Sequence, residues 1–378
     1  MNIQDFQAGR YEAQFEYQSF LPSLINLEWQ ISDPETVTLL TESTRLLGEL
    51  NAFAQLIPDV DFFIKMHLAK EATTSSRIEG TQTNMEEALF SEEDLAPEKR
   101  DDWNEVQNYI AAANHSIARL STLPLSSRLL CEAHAILLRG VRGKHKLPGE
   151  FRSSQNWIGV SLRHATFIPP HHERIAELMG DLEHFLHNDQ IRVPHLIKIA
   201  LIHYQFETIH PFLDGNGRLG RLLIALYLVH AGILLKPALY LSDFFERHKP
   251  AYYDELTAVR STSRLIPWLR FFLIGVTETA AASIQVFKDI LALKERIQRE
   301  SLPTFATRRQ ANAQKFMLHL YQHPVINIRQ AAALLDTQPN TASALVADFE
   351  KLGILREVTG QLRRRCFVFD AYLQIFSR

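Results

Sequence analysis

The chain is 378 residues long and 46% hydrophobic, which is enough to bury a sizeable core in two or three folded units. Its formal net charge of -3 and pI of about 6.6 exclude a strong overall attraction to nucleic acid or to an anionic membrane. Cys131 and Cys366 lack the spacing of a zinc site or a disulfide framework, and the sequence has neither a targeting segment nor a run of about 18 apolar residues. We therefore expect a cytoplasmic protein without a membrane partner.

Most of the chain shows helical spacing. Residues 1–35 are the exception, because they have no sustained period and predict an N-terminal arm that lies extended over the body, with little helix. From 36 to 110 apolar residues recur every three or four positions, and we assign this range to an N-terminal helical region. The same spacing from 111 to 295 predicts the main domain. The fold class predicted for both ranges is all-α.

One segment interrupts the helices of the main domain. It reads FRSSQNWIGVSLRHATFIPPHH and contains β-branched and aromatic residues, Gly159, and a double proline at Pro169 and Pro170. This composition favours strands and turns over helix. We predict a short β-hairpin here.

Residues 301–378 predict a separate domain. Three short helical stretches are followed by an alternating segment, the outline of a winged helix-turn-helix. The range has ten Lys and Arg against five Asp and Glu, so it carries +5 and leaves -8 for the rest of the chain. This balance and the run Arg363–Arg365 favour DNA contact. Asp348 and Glu350 in the presumed recognition helix would repel phosphates, and a protein partner is the alternative.

The most informative segment is HPFLDGNGRLGR at 210–221, which lies between two apolar helical stretches. A proline ends the first helix and the segment leads into the second, so the glycines lie at a helix N-terminus. Unpaired amides at such a terminus form an anion pocket, and Gly215 and Gly217 keep it free of side chains. Arg218 and Arg221 share one side of the first turn, where each can bind phosphate oxygens. The segment predicts a polyphosphate site.

Two further side chains in this segment carry chemistry. Asp214 can hold a divalent cation, because Mg²⁺ that bridges two phosphates needs few protein oxygens. His210 titrates near neutrality and, at the mouth of the pocket, can take the proton from an attacking hydroxyl. Elsewhere His171, His172 and His203 lack the spacing of zinc ligands, and we expect no zinc.

The same segment matches the pattern H-x-F-x-D-G-N-G-R-x-G-R at all nine fixed positions. It resembles the signature of the Fic proteins, and the resemblance extends over most of residues 40 to 290. It implies an all-helical Fic fold with a β-hairpin flap, and an enzyme that transfers AMP from ATP·Mg²⁺ to a Ser, Thr or Tyr hydroxyl of a target protein.

Roles for individual residues follow from this resemblance. His210 would deprotonate the target hydroxyl, Asp214 would hold Mg²⁺, and Phe212 would point into the core. A tyrosine pair is placed near adenine in related proteins, although on a helix such a pair is also compatible with plain packing. The ATP-binding residues implied are Glu79, Asp214, Gly215, Asn216, Gly217, Arg218, Leu219, Gly220, Arg221, Tyr252 and Tyr253.

The segment TTSSRIEGT, ahead of the main domain, resembles the inhibitory helix motif S/T-x-x-x-E-G/N of the same family. Ser75 and Glu79 are four residues apart, so on a helix they share one face. The resemblance implies that Glu79 pairs with Arg221 in the place of the γ-phosphate and silences the resting enzyme. In an alternative reading, Glu79 activates a water molecule that removes AMP from a modified target.

The predicted hairpin occupies the position of the family's flap, an exposed strand edge that holds a target segment by main-chain bonds. Gly159, Val160 and Phe167 would form this docking flap, although many relatives have a second glycine in place of Val160. A surface hairpin without a partner is the alternative.

Two classes of function remain open. One is an AMP-transferring enzyme that also modifies itself, and the other is a DNA-binding regulator whose Fic domain senses a nucleotide. The intact His210 favours the enzyme, because a sensor needs phosphate ligands but no base. Transfer of another phosphate-bearing group is a third reading, against which Asp214 and Arg221 favour ATP. An oligomer is compatible with the sequence.

Overall fold

The computed structural model describes residues 1–56, 60–360 and 365–376. Near the N-terminus, β1 (Gly9–Ala13) and β2 (Gln18–Pro22) pair as an antiparallel hairpin. This pairing was not predicted, because four of the five β2 residues are buried and the strand shows no alternation. β2 lies on the main domain, where the Phe20 N–H donates to the Ile168 carbonyl at 2.9 Å.

The helices predicted between 36 and 110 are present, and a short helix follows the second of them. Asp33 begins the first one, since its carboxylate accepts from the Thr36 N–H at 2.9 Å. The helices of this region are α1 (Pro34–Leu56), α2 (Val60–Ile78), α3 (Met85–Ala88) and α4 (Arg100–Arg119).

The main domain is built around one central helix, α7, in which every residue from Leu196 to Ile209 is buried. This explains why its sequence is apolar on all sides. The elements of this domain are α5 (Ser127–Leu137), β3 (Ile158–Gly159), β4 (Ala165–Phe167), α6 (Ile175–His187), α7 (His195–Ile209), α8 (Asn216–His230), α9 (Ser242–Arg247), α10 (Lys249–Thr262) and α11 (Leu265–Arg296). β3 and β4 are antiparallel and form the predicted hairpin.

The helical spacing predicted for the main domain is interrupted at Ser263. This residue adopts the left-handed conformation (φ 59°) and separates α10 from α11. The segment Leu265–Thr304 is long and apolar enough to cross a membrane by length and composition, and 44% of its most apolar window is buried. α1, α7, α10 and α15 (Asp370–Phe376) all pack against α11. The expectation of no membrane partner stays a prediction.

The C-terminal residues form three helices, a small sheet and α15. The sheet is antiparallel, with strand order β5-β7-β6. Its elements are α12 (Thr307–Gln322), β5 (Val325–Asn327), α13 (Ile328–Leu335), α14 (Pro339–Lys351), β6 (Arg356–Glu357) and β7 (Cys366–Val368). Arg363 and Arg364 of the predicted wing lie outside the described residues. This unit packs on α2, where the ring of Phe376 lies 5.3 Å from that of His67.

Candidate active site

The loop between α7 and α8 leaves the N-terminus of α8 open. His210 ends α7 in the left-handed conformation (φ 51°), and Gly215 (φ 75°) starts α8. Asn216 fixes the turn between them, because its side chain accepts from the Phe212 N–H at 2.9 Å and donates to the Phe212 carbonyl at 2.8 Å. Phe212 is fully buried. The amides of the first turn of α8 therefore face outward in a fixed loop.

Arg152 holds the start of this loop. Its buried guanidinium donates to the carbonyls of His210 at 3.0 Å and Pro170 at 2.6 Å, and its N–H donates to the Pro211 carbonyl at 2.9 Å. Asn156 adds bonds to the carbonyls of His210 and Phe212. Burial lowers the pKa of Arg152 to about 10. The sequence analysis missed both residues, because no local spacing connects them to a loop more than 50 residues away.

His134 holds the far end of the loop. Its Nδ1 accepts from the Gly149 N–H at 2.8 Å, so Nε2 carries the proton and donates to the Asp214 carbonyl at 3.0 Å. The ring stacks on Phe212, with centroids 3.9 Å apart. Burial lowers the pKa of His134 to about 4, which keeps this neutral form at pH 7. The sequence analysis missed His134 as well.

The imidazole of His210 belongs to the residue that ends α7, directly before the loop. Burial and the charges of Arg260 and Arg152 lower the pKa of His210 to about 4. Its Nδ1 has no hydrogen-bond partner within the described residues. The side chain is therefore neutral near pH 7 and can accept a proton.

Arg221 is the buried cation of the site, with its side chain only 1% exposed. Its Nε donates to Ser75 Oγ at 2.9 Å, and its Nη2 donates to the Ser75 carbonyl at 2.8 Å and to Glu79 Oε1 at 2.7 Å. Burial would lower the pKa of Arg221, but the Glu79 carboxylate holds it above its usual value. Ser75 lies on α2, and Glu79 lies one residue past its end rather than within it. The structure thus brings the three residues together.

The Glu79 carboxylate lies directly over the first turn of α8. A Cβ added at Gly217 would overlap Glu79 Oε1 and lie 3.0 Å from Arg221 Nη1. Burial would raise the pKa of Glu79, but the charges of Arg221 and Arg218 hold it below its usual value. An ionised carboxylate therefore occupies the anion pocket at the helix N-terminus.

Arg218 is committed to a partner outside the loop. Its buried guanidinium donates to Glu105 on α4 at 3.0 Å, and Glu105 also accepts from Arg142 at 2.6 Å. The second group near Arg218 is Asp214, at 3.8 Å. The Asp214 side chain is 40% exposed, so its carboxylate lies at the mouth of the site, where an incoming cation could reach it. The close approach of Gly143, where an added Cβ would lie 2.5 Å from Asp214 Oδ2, leaves room for that carboxylate.

The next residues of the motif face the core. Leu219 is fully buried, and the Gly220 carbonyl accepts from His203 Nδ1 at 2.9 Å, so His203 Nε2 accepts from the Tyr252 hydroxyl at 2.9 Å. Tyr252 is 1% exposed and offers no ring face to a ligand in this structure, whereas Tyr253 is 42% exposed. Of the tyrosine pair, only Tyr253 presents a surface that an adenine ring could contact.

The hairpin of β3 and β4 follows Asn156, whose side chain donates to the His210 carbonyl at 3.2 Å. Val160 at its turn is 93% exposed, and Gly159 (φ 130°) lies so close to β4 that an added Cβ would be 2.9 Å from the His164 carbonyl oxygen. Phe167 is buried beneath the Arg260 guanidinium, 4.0 Å from the ring centroid. Arg260 also donates to Thr208 on α7, so the base of the hairpin is tied to the helix that ends at the site.

The three histidines considered for zinc lie in different surroundings. His203 uses both ring nitrogens in the core, as described above. His171 and His172 lie near the surface, and their potential ligand atoms and those of the exposed Glu173 are within 4.8 Å of one another. The absence of zinc stays a prediction.

Comparisons with known proteins identify relatives of the region that carries this site. The Fic/DOC family N-terminal model matches residues 37–118, and the Fic/DOC family model matches residues 124–228. Proteins named Protein adenylyltransferase Fic from Aedes aegypti and Drosophila erecta are 36% and 41% identical over 124 residues, which is 32% of this chain and 22% of each relative. The chain therefore spans about a fifth of the length of these curated relatives.

Solved structures show the same fold. A crystal structure of a Fic family protein from Desulfovibrio desulfuricans G20 is 19% identical and covers 89% of this chain and 96% of that one, with a TM-score of 0.56. Fic-1 from C. elegans is 24% identical, with 69% and 73% of the two chains covered and a TM-score of 0.50. Residues 37–118 and 124–228, the second of which includes the whole 210–221 segment, therefore form the Fic/DOC N-terminal and Fic domains.

Proposed function

We propose that this chain transfers AMP from ATP to a Ser, Thr or Tyr hydroxyl of a target protein, and that Glu79 restrains the transfer in the resting state. The observation that carries the proposal is the ionised Glu79 carboxylate bound to Arg221 over the first turn of α8. A γ-phosphate would bind the same buried guanidinium and the same amides, so the two groups compete for one place. With Glu79 in place, ATP binds with its α-phosphorus out of reach of an attacking hydroxyl.

In the proposed reaction, the protein positions the phosphates and accepts the proton of the target hydroxyl. The hydroxyl oxygen of the target forms a bond to the α-phosphorus, the bond from that phosphorus to the bridging oxygen breaks, and diphosphate leaves. His210 takes the proton of the hydroxyl, which its depressed pKa allows because the ring is neutral near pH 7. Gly215, Asn216 and Gly217 supply backbone amides that hold phosphate oxygens in line.

Mg²⁺ fits the donor set of the site. The Asp214 carboxylate would hold the ion at the loop mouth, where one protein oxygen is enough for a cation that also binds phosphates. When bound, the ion would neutralise part of the phosphate charge. Arg218 would act from its ion pair with Glu105, as a fixed positive charge behind the loop rather than as a free ligand.

The hairpin is the proposed place for a target segment. Val160 is almost fully exposed, and Asn156, just ahead of β3, is bonded to the His210 carbonyl, so an extended peptide added to the hairpin edge would bring a hydroxyl toward the base. Main-chain pairing of this kind depends little on the side chains of the bound peptide. The target protein would therefore be selected by contacts elsewhere.

Removal of AMP from a modified target is the second candidate activity. It is favoured by the position of Glu79, whose side chain is 36% exposed and ionised, so water can reach its carboxylate. In this reading Glu79 would activate the water that attacks the AMP–protein bond.

We further infer that residues 301–378 are a winged helix-turn-helix whose partner is a protein rather than DNA. The N-termini of α13 and α14 line a cleft of 510 Å³ whose other side carries Glu93 and Asp94. These two carboxylates offset the charges of Arg329 and Arg365, which line the same cleft, and so remove the net positive charge that phosphate groups would need there.

The test of the main proposal is self-labelling with ATP labelled in the α-phosphate. We expect Glu79→Gly to label at least about tenfold more than the wild-type chain, since it frees Arg221. His210→Ala in that background should lower labelling by about 10²- to 10⁴-fold, the usual contribution of a general base. Glu42→Gly, a change on the exposed face of α1, is the control. Equal labelling of the wild-type and Glu79→Gly proteins would contradict the restraint.

A further inference from the structure

A second cleft lies between α2 and the C-terminal unit, away from the loop at 210–221. Its volume is 610 Å³, within the range of about 300 to 1,000 Å³ that is typical of small-molecule sites. Lys65 of α2 forms one side of it, together with Phe90 from the segment after α3. The other side is formed by His319 of α12 and by His323, which lies one residue past the end of that helix. The proposed function makes no use of this cleft.

Three nitrogen-bearing side chains gather at one end of the cleft. Lys65 Nζ donates to His323 Nδ1 at 3.3 Å, and the rings of His319 and His323 lie 4.7 Å apart. Across the part of the chain that the structure describes, none of the three has a carboxylate within ion-pair distance. Burial and the charge of Lys65 lower the pKa of His323 to about 4, so this ring is neutral near pH 7 and Lys65 carries the positive charge of the group. This end of the cleft therefore favours an anion.

The rest of the cleft is largely apolar. Leu89, Phe90 and Ile110 line one side and Leu334 lines the other. Such walls favour a ligand with an apolar part next to its charged group, because burial of that part adds to the attraction between the charges. A bare inorganic ion would leave these walls unused.

We propose that this cleft binds a small molecule with an apolar body and a phosphate or carboxylate group, whose anionic oxygens lie between Lys65, His319 and His323. A ligand held there touches α2, the helix that also carries Ser75. Binding itself does not depend on the proposed enzymatic activity, so the two are tested separately.

The test uses phenyl phosphate as the probe and the imidazole NMR signals of His319 and His323 as the readout, assigned from His319→Gln and His323→Gln. These signals report this cleft and not the anion pocket beside His210. We expect both signals to shift saturably on addition of phenyl phosphate. Three further compounds separate the contributions of the apolar body and the anionic group: benzoate, inorganic phosphate and the uncharged ester phenyl acetate. Benzoate should bind, inorganic phosphate should bind more weakly than phenyl phosphate, and the uncharged ester should not bind.

Lys65→Ala should weaken phenyl phosphate binding at this site by about tenfold or more, because it removes the strongest charge. Lys351→Ala, which changes an exposed lysine on α14 that does not line the cleft, is the matched control and should leave binding unchanged. The proposal is overturned if the two histidine signals do not move, if they move equally with the uncharged ester, or if Lys65→Ala binds as the wild-type chain does.

Discussion

His210 has a property that a general base needs, a ring that is neutral near pH 7. Its pKa of about 4 lies below the value of about 6.5 for a free histidine, so the ring stays unprotonated well below neutrality. Because the Glu79 charge raises the pKa of His210, loss of Glu79 moves this pKa further down.

The first prediction concerns the pH dependence of AMP transfer by Glu79→Gly. We expect kcat/KM to stay level from neutrality through pH 6.5 and to fall only as the pH approaches 4, because kcat/KM reports the ionisation of the free enzyme. His184→Ala, an exposed histidine on α6, should give the same profile. An acid limb centred near pH 6.5 would show that the base is an unperturbed histidine.

The second prediction concerns His134. His134→Ala removes a buried ring that stacks on Phe212 and bonds to Asp214, which should lower the free energy of unfolding at pH 7 by roughly 2 to 4 kcal/mol. The folded pKa of His134 lies below its unfolded value, so protonation favours the unfolded chain and the wild-type stability should fall as pH drops from 6.5 toward 4. Over the same pH range, the free energy of unfolding of His134→Ala should fall less than that of the wild-type chain.

Urea unfolding at pH 7 and at pH 5 measures both effects. His184→Ala should change the free energy of unfolding by less than about 0.5 kcal/mol, as is usual for surface positions. A loss in His134→Ala no larger than in this control would mean that the ring does not hold the loop.

At the residue scale, groups of residues that are contiguous in the chain could be predicted, whereas contacts between residues far apart in the chain could not. The twelve residues at 210–221 could be assigned to one site because they are contiguous. The partner of Arg218 could not, because Glu105 lies 113 residues earlier in the chain. For the same reason Tyr252 was grouped with Tyr253, although a hydrogen bond to His203 holds it in the core.

At the scale of elements, the end of α2 decides where Glu79 lies. Lys249, in the first turn of α10, donates to the Ile78 carbonyl at 2.7 Å and so satisfies a carbonyl at the end of α2. We predict that Lys249→Met frays this end and partly frees Glu79. Self-labelling should then rise above wild type but stay below that of Glu79→Gly.

The matched control for Lys249→Met is Lys315→Met, on the exposed face of α12. It should label as the wild-type chain does. Labelling by Lys249→Met no greater than by this control would mean that the end of α2 is held without Lys249.

Elements with a regular period could be predicted, and those without one could not. α1, α2, α4 and the short hairpin of β3 and β4 follow from spacing and composition. The β1–β2 pair escaped because β2 is buried on both faces. The break at Ser263 escaped because the residue in the left-handed conformation is neither glycine nor proline.

At the scale of the whole molecule, the +5 charge of residues 301–378 suggests DNA, whereas the placement of that unit disfavours it. Glu93 and Asp94 of the N-terminal helical region face the cleft at Pro339, the start of α14. We predict that the full chain binds duplex DNA only weakly at physiological salt. Glu93→Gln with Asp94→Asn should bind more tightly, because two phosphate-repelling charges are removed.

Filter binding over a salt series measures this difference. Glu92→Gln, next to the pair but not lining the cleft, is the control. Tight binding by the wild-type chain, with no gain in the double variant, would contradict a protein-facing role for the C-terminal unit.

The central claim is that a triphosphate takes the place of the Glu79 carboxylate at α8 and gives up its AMP. Purified Glu79→Gly incubated in parallel with ATP labelled in the α-phosphate and ATP labelled in the γ-phosphate tests it directly. The claim predicts that the α-label stays covalently on protein, that the γ-label leaves with diphosphate, and that adding His210→Ala lowers the α-signal by about 100-fold or more. Retention of the γ-label on protein, or an α-signal that His210→Ala leaves unchanged, would contradict it.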